Sequence, residues 1–333
     1  MAGVLVGTVV LSALLTRAVR DVARRHRLLD SPTSRSSHSN PTPRLGGVAI
    51  ALSGILGWLI ARLIAGFEPS TETIWYAFVW GAVAAAGTGL LDDLILLRPS
   101  AKLAGECLAL LPLMAILVPA LSPLPFGVGL VFWMFLAVGY TNLFNFMDGS
   151  DGLAAGVAVI NSVTFAGLAM TEGWTSVGLV LGAAALGFLW FNCSPASVFM
   201  GDSGSLFLGA AFAMLSAVLM ASGVSWVAVG LAVSPFAFDG SLTLFLRLAR
   251  RERVWTAHRS HLYQRLLIAG WTHRHVAWLY WSWAGIGGAS AIAYGQGGNW
   301  PTAALCVSGA ASAGVIALVR WVELNAGQGA GAT

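Results

Sequence analysis

Apolar residues run along this chain in blocks of roughly 20, near 2–20, 46–66, 73–91, 103–121, 126–144, 152–170, 175–192, 205–222, 224–246, 276–296 and 301–322, with short polar segments between them. A helix of that length crosses a hydrocarbon core of about 30 Å, and an unbroken helix satisfies its own backbone there. The pattern predicts an all-α polytopic integral membrane protein with about 10–11 transmembrane helices, forming a single domain over 1–333. A basic segment and further apolar blocks follow the first block, with no small-residue cleavage site between, so that block is expected to be a retained helix.

Composition sharpens the class. Of 333 residues, 57% are hydrophobic and only 10% charged, and the mean hydropathy is +0.78. A soluble domain carries about 25% charged residues, which excludes that class. Cys107, Cys193 and Cys306 stand singly in or beside apolar blocks and suggest neither a disulfide framework nor a thiolate metal site. The 40 glycines suit close helix packing in lipid.

Charge supplies the orientation. If crossings alternate, the segments near 21–45, 92–102, 142–151, 192–204 and 247–275 share one side, and with their helix ends they hold 16 of the 18 Lys and Arg residues. Basic excess marks the cytoplasmic side. Glu68, Glu72 and Glu172 fall on the other side, so the N-terminus is expected outside and, with eleven crossings, the C-terminus inside. Every polar constellation in the chain then falls on the cytoplasmic face, which predicts one composite site in a cleft there.

The densest constellation is Thr-Asn-Leu-Phe-Asn-Phe-Met-Asp-Gly-Ser-Asp-Gly-Leu at 141–153. Ionisable groups at membrane depth cost a few kcal/mol or more and usually line a functional path. Asn142, Asn145 and Asp148 share a face if the fifth span continues through them, and such oxygen donors suit a hard cation held with substrate phosphates. The bland alternative is an Asx-rich turn capping the sixth helix.

Four other segments carry chemistry. Asp92-Asp93 is followed by Lys102; the pair either neutralises a cation or consists of solvated helix-end acids facing Arg98 and Lys102. Phe199-Met-Gly-Asp202-Ser-Gly-Ser205 opens the eighth span, with Asp202 or Ser203 as a plain N-cap, or with a phosphate at the helix N-terminus and Phe199 stacked on a base. The 247–274 segment has seven arginines around His258-Arg-Ser-His261-Leu-Tyr-Gln-Arg265, and is either a topology determinant, an anionic-lipid contact or a diphosphate clamp. His273 and His275 read as interfacial, and a zinc site is not expected. The first loop holds Asp30, Arg35, His38 and Pro41-Thr-Pro-Arg44-Leu-Gly-Gly47, a rigid connector or one that holds Arg44 against an anionic headgroup. Asp239 is expected to pair with Arg247 or a neighbouring helix.

Taken together, these motifs resemble the polyprenyl-phosphate N-acetylhexosamine-1-phosphate transferases. The carriers are Pro-Thr-Pro-Arg-Leu-Gly-Gly at 41–47, Asp92-Asp93 with Lys102, Asn142-x-x-Asn145-x-x-Asp148-Gly-x-Asp151-Gly-Leu, Gly201-Asp202-x-Gly-Ser205 and His258-x-x-His261, in the family's order from about Asp30 to Arg265. The resemblance implies Mg2+-dependent transfer (Mn2+ in its place) of an N-acetylated hexosamine 1-phosphate from a UDP-sugar to undecaprenyl phosphate, with release of UMP. That reaction starts O-antigen, lipopolysaccharide or related cell-surface polysaccharide on the cytoplasmic face of the bacterial inner membrane. By the same resemblance Asp202, with Asn145, would hold the metal. Asp92 and Asp93 would position or deprotonate the lipid phosphate, while Asp148, Asp151 and His258 would join the catalytic set. Arg44, Lys102, Asn142, Asn145, Phe199, His261 and Arg265 would bind substrate. The last loop reads most like the O-antigen branch that uses N-acetylated 6-deoxyhexosamines. Partners implied are undecaprenyl phosphate, a UDP-N-acetylhexosamine and the bilayer, with a homodimer compatible and no nucleic acid.

The alternative from another class is an ion-coupled secondary transporter. It predicts inverted repeats and acids at midplane on broken helices, whereas here the polar groups gather at span ends.

Overall fold

Ten of the eleven apolar blocks fold as one helix each, and the remaining one folds as two. The computed structural model describes residues 1–30, 41–65, 71–169, 171–253, 258–296 and 298–329; Arg35, His38 and Glu68 lie outside the described residues. The helices are α1 (Ala2–Arg25), α2 (Gly47–Ala65), α3 (Glu72–Ile95), α4 (Pro99–Leu121), α5 (Phe126–Phe146), α6 (Leu153–Leu168), α7 (Glu172–Asn192), α8 (Gly201–Ala221), α9 (Trp226–Ala232), α10 (Ser234–Ala249), α11 (Leu262–Ile268), α12 (His273–Tyr294) and α13 (Trp300–Gly329). Two residues of the first loop, Leu29–Asp30 (β1), pair antiparallel with Thr42–Pro43 (β2).

Eight of these helices are long and apolar enough to cross a membrane, or nine if α9 and α10 count as one bent span. α6 is a shorter apolar helix of 16 residues, and α12 opens on His273-Arg274-His275. The expected continuous ninth span is corrected: α9 and α10 meet at 84°. Pro235, in the first turn of α10, has no N–H to continue the ladder and its ring excludes the preceding carbonyl, so the chain turns there.

α8 is the hub. Of its most apolar stretch 83% is buried, against 17% for α1 and 22% for α5, which face lipid. Small residues permit this: a Cβ on Gly89 of α3 would strike the Asp202 backbone, and one on Gly209 would meet that of Thr141 in α5. Polar anchors fix helix order where no hydrophobic force acts between spans. Trp58 donates to the Val177 carbonyl at 3.0 Å, and Ser12 to that of Ala184 at 2.6 Å, tying α2 and α1 to α7.

The ends of the bundle differ in charge. Arg265 of α11 pairs with Glu323 of α13, so the last helix finishes beside the basic loop, and Arg320 joins the arginines there. At the end of α2, Arg62 pairs with Glu72 at 2.6 Å and lies over Trp75.

Candidate active site

The site is built around the first turn of α8. Gly201 adopts φ +71°, a left-handed conformation that glycine takes without strain, and a Cβ there would press on the Asp93 carboxylate. Asp93, at the end of α3, accepts the N–H groups of Asp202 and Ser203 at 2.9 Å each. A carboxylate from another helix thus satisfies two orphan amides and the helix dipole together. Two readings change accordingly. Neither Asp202 nor Ser203 is the N-cap, and the anion on these amides is a side chain rather than a phosphate.

Freed from capping, the Asp202 side chain faces the other charges. It pairs closely with Lys102 and accepts from Asn145 Nδ2 at 3.0 Å, while the same amide donates to Ser205 at 2.7 Å. Lys102 also reaches Asp92 at 3.3 Å, and Asp92 accepts the Leu97 N–H at 2.7 Å. One ammonium therefore bridges two carboxylates, Asp92 from α3 and Asp202 from α8. Arg98 takes no part in any described ion pair; of the solvated-pair reading, the Asp92–Lys102 pair holds, whereas Asp93 is buried on the α8 amides.

α5 ends at Phe146, so Asp148 sits in the following turn rather than on the helical face of Asn142 and Asn145. Asp151 accepts the Ala196 N–H at 3.0 Å, and Asn192 accepts that of Gly152 at 3.0 Å. No side chain caps α6, so the Asx-cap reading fails as well. His273, read as interfacial, instead meets the Ser150 hydroxyl at 2.9 Å and accepts the Asp151 N–H at 3.3 Å. Sequence reasoning missed it because it lies 122 residues from Asp151, at the start of a helix that looks like an ordinary span.

The remaining wall is the proline-glycine connector. Phe199 donates its N–H to Pro43 O at 2.8 Å, and Gly46 and Gly47 donate to Phe199 O and Met200 O. A Cβ on Gly47 would collide with the Gly204 backbone, which is why two glycines face each other here. This contact sets Arg44 and Phe199 on the rim of a cavity of about 280 Å3 that also receives Asp93, Asn145, Asp148 and Asp202.

Within that cavity Asp148 stands apart. Its carboxyl has no hydrogen bond or ion pair among the described residues. Burial, and then the charges of Asp202, Asp93 and Asp151, push its pKa well above the usual carboxylate range.

The other expected residues lie on two flanks. Asn142 bonds Glu106, one turn along α4 from Lys102; one oxygen of Glu106 is buried without a partner, and a lone acid four residues after Lys102 was its only sequence signal. Asp239 is fully buried, accepting Tyr280 O–H at 2.5 Å, Leu262 N–H at 2.9 Å and His261 Nδ1 at 3.3 Å. It thus holds the start of α11, while Arg247 pairs with Glu252 instead. Tyr263 donates to Phe146 O at 3.0 Å, backing this loop onto the 146–149 turn. His258 accepts from Ser260 at 2.9 Å; burial, His261 and Arg247 lower its pKa to about 4. His258, His261 and Arg265 do not line the 280 Å3 cavity. Arg265 makes a bidentate pair with Glu323, at 2.7 and 2.6 Å, on the far side of the loop.

This geometry can be set beside known proteins. The glycosyl transferase family 4 model matches residues 75–220, which carry Asp92, Lys102, Asn145, Asp148 and Asp202. The probable undecaprenyl-phosphate N-acetylglucosaminyl 1-phosphate transferase of Bacillus subtilis is 31% identical, over 78% of this chain and 75% of its own. The chain belongs to the polyprenyl-phosphate hexosamine-1-phosphate transferases. Two further members of this transferase family are similar. The decaprenyl-phosphate N-acetylglucosaminephosphotransferase of Mycobacterium tuberculosis is 34% identical over 93% of this chain and 86% of its own. The phospho-N-acetylmuramoyl-pentapeptide-transferase of Bifidobacterium animalis is 28% identical over 83% and 90%.

The cavity of this transferase also suits a hard divalent cation. Among the described residues no three His, Cys, Asp or Glu side chains form a closed metal cage. Mg2+ commonly needs only one or two carboxylates, with phosphates and water filling the rest. Asp202 and the carboxamide of Asn145 are the donors present for such a cation, with Asp202 paired to Lys102 and to the Asn145 NH2 in this structure.

Proposed function

We propose that the protein transfers an N-acetylhexosamine 1-phosphate from a UDP-sugar to undecaprenyl phosphate, releasing UMP, on the cytoplasmic face of a bacterial inner membrane. The observation that carries this reading is Asp148: Asp93, Asp151 and Asp202 around the cavity are held by amides, Lys102, Asn145 or His273, and this one is left to a ligand. The relatives support the substrate class, since their names give polyprenyl phosphates as acceptors and N-acetylglucosamine as the sugar of several.

In the proposed reaction an oxygen of the lipid phosphate attacks the sugar-bearing phosphorus, and the bond from that phosphorus to UMP breaks. Little covalent help is needed; positioning and charge neutralisation do most of the work. Asp92 and Lys102 receive the lipid phosphate, with Asp93 fixing the turn that aims Asp202. Arg44 and Asn145 hold the diphosphate, and Asp148, Asp151 and Phe199 form the nucleoside and sugar side. Asp202 and Asn145 would hold Mg2+, or Mn2+ in its place, which when bound offsets diphosphate charge. The product is the first lipid-linked intermediate of a cell-surface polysaccharide, O-antigen or related.

The test is UMP release by the purified protein with undecaprenyl phosphate, Mg2+ and a panel of UDP-N-acetylhexosamines that includes 6-deoxy sugars. We expect turnover with at least one of them and its loss on chelation. No UMP with any donor, together with ion-gradient-driven uptake in proteoliposomes, would replace the reading with a transporter.

A further inference from the structure

A second polar cavity, of about 230 Å3, lies between α10, α11 and α13 and shares no lining residue with the first. Arg247, Arg250, Arg265 and Arg320 line it with one carboxylate, Glu323. Two of the four guanidinium groups are tied down: Arg247 by Glu252 and the Arg253 carbonyl, both at 2.9 Å, and Arg265 by Glu323. Among the described residues the Arg250 guanidinium has no hydrogen bond or ion pair, and that of Arg320 lends only its field to Glu323. Like charges gathered this closely repel unless an anion lies among them.

The surroundings say where that anion comes from. Phe245, Leu248, Ile268, Trp321 and Leu324 flank the arginines along the chain and are 60–68% exposed, as side chains facing acyl chains would be. A soluble phosphate has no use for an apolar collar. A lipid phosphate at the cytoplasmic boundary does, and basic pockets between helix ends on that side suit anionic headgroups.

We infer that this cavity binds the phosphodiester headgroup of an anionic glycerophospholipid between Arg250 and Arg320, fastening α10 to the end of α13. The two non-bridging oxygens of such a headgroup match guanidinium donors. The inference uses the membrane orientation of the proposed function but none of its catalytic residues.

The experiment compares the full-length protein in bilayers of phosphatidylcholine alone and of phosphatidylcholine with phosphatidylglycerol, reading co-purified lipid by native mass spectrometry together with the temperature of heat inactivation. The wild type should retain phosphatidylglycerol preferentially and inactivate at a higher temperature in its presence. Retention should fall about fivefold for each arginine lost in Arg250→Gln and Arg320→Gln, since a basic residue near an anionic surface contributes about that factor. Both residues are exposed, so these variants keep the fold. Equal retention of both lipids, or no change in the double variant, overturns the inference. Inorganic phosphate giving the same protection in detergent would make this a soluble-anion site, and a raised KM for undecaprenyl phosphate in the double variant would make it part of the acceptor site; either result also overturns it.

Discussion

Asp93 holds Asp202 by its backbone: one carboxylate oxygen takes the Asp202 N–H and the other the N–H of the next residue, both at 2.9 Å. The adjacent acids of the Asp92-Asp93 pair therefore divide their work. Asp93 is buried with both oxygens engaged, while Asp92 faces Lys102, which also holds Asp202 of α8.

This division predicts two different phenotypes. Asp93→Asn leaves one acceptor oxygen for two amides and turns an NH2 toward one of them. Losing a hydrogen bond to a charged group costs about 1.5–3 kcal/mol, so the variant should inactivate at a lower temperature as well as turn over slowly. Asp202→Asn leaves both Asp93 bonds intact, because they end on the backbone. It weakens only the partly exposed Lys102 pair and the Asn145 bond, so it should inactivate closer to the wild-type temperature than Asp93→Asn does, and lose at least about 100-fold in kcat, roughly 2.7 kcal/mol. Equal loss of heat resistance in both variants would remove the distinction.

The opposite balance is expected at Asp148. Its carboxyl is raised above the usual range by burial and three neighbouring acids, so the folded state holds a proton that the unfolded state releases near pH 4. Between that value and the folded pKa the native state binds more protons, so stability falls as pH rises through the window. Asp148→Asn removes the penalty: it should be more heat-resistant than the wild type above the window and equal to it near pH 4, while its turnover falls. A variant less stable than the wild type at neutral pH would contradict the assignment.

How far these roles could be read from sequence depends on separation along the chain. The helices were legible because each apolar run carries its own length signal, and the cluster at Asn145, Asp148 and Asp202 was legible from polar residues at span ends. Contacts between distant segments were not. Nothing in the sequence near Asp93 says that the N–H donors to its carboxylate lie 109 and 110 residues on, or that Arg265 faces Glu323 of α13 rather than a diphosphate. The bend at Pro235 was hidden by continuous hydropathy, because a break in direction needs no break in polarity.

Arg265 is now expected to act through the α11–α13 corner. Its pair with Glu323 is bidentate yet partly exposed, which puts the coupling near 0.5–1 kcal/mol. A double-mutant cycle of Arg265→Ala and Glu323→Ala, read by heat inactivation, should recover that coupling. The KM for the UDP-sugar should change less than about twofold, a smaller shift than loss of a charged hydrogen bond to substrate would give. A large rise in that KM with unchanged stability would return Arg265 to the donor site.

Orientation can be tested without any substrate. Sixteen of the 18 basic residues fall in five segments and their helix ends, and the Arg265–Glu323 pair adds Arg320 to that side. The positive-inside bias then places this end in the cytoplasm, and the first residues of α7, around Glu172, on the opposite face. In a background with Cys107, Cys193 and Cys306 replaced by serine, Ala269→Cys follows α11 at the basic end and Thr171→Cys precedes α7. An impermeant thiol reagent should label position 171 in intact cells once any outer membrane is permeabilised, and position 269 only after the inner membrane is opened. The reverse pattern would put the 280 Å3 cavity on the outer face, where no UDP-sugar is supplied, and would remove the proposed reaction along with the topology.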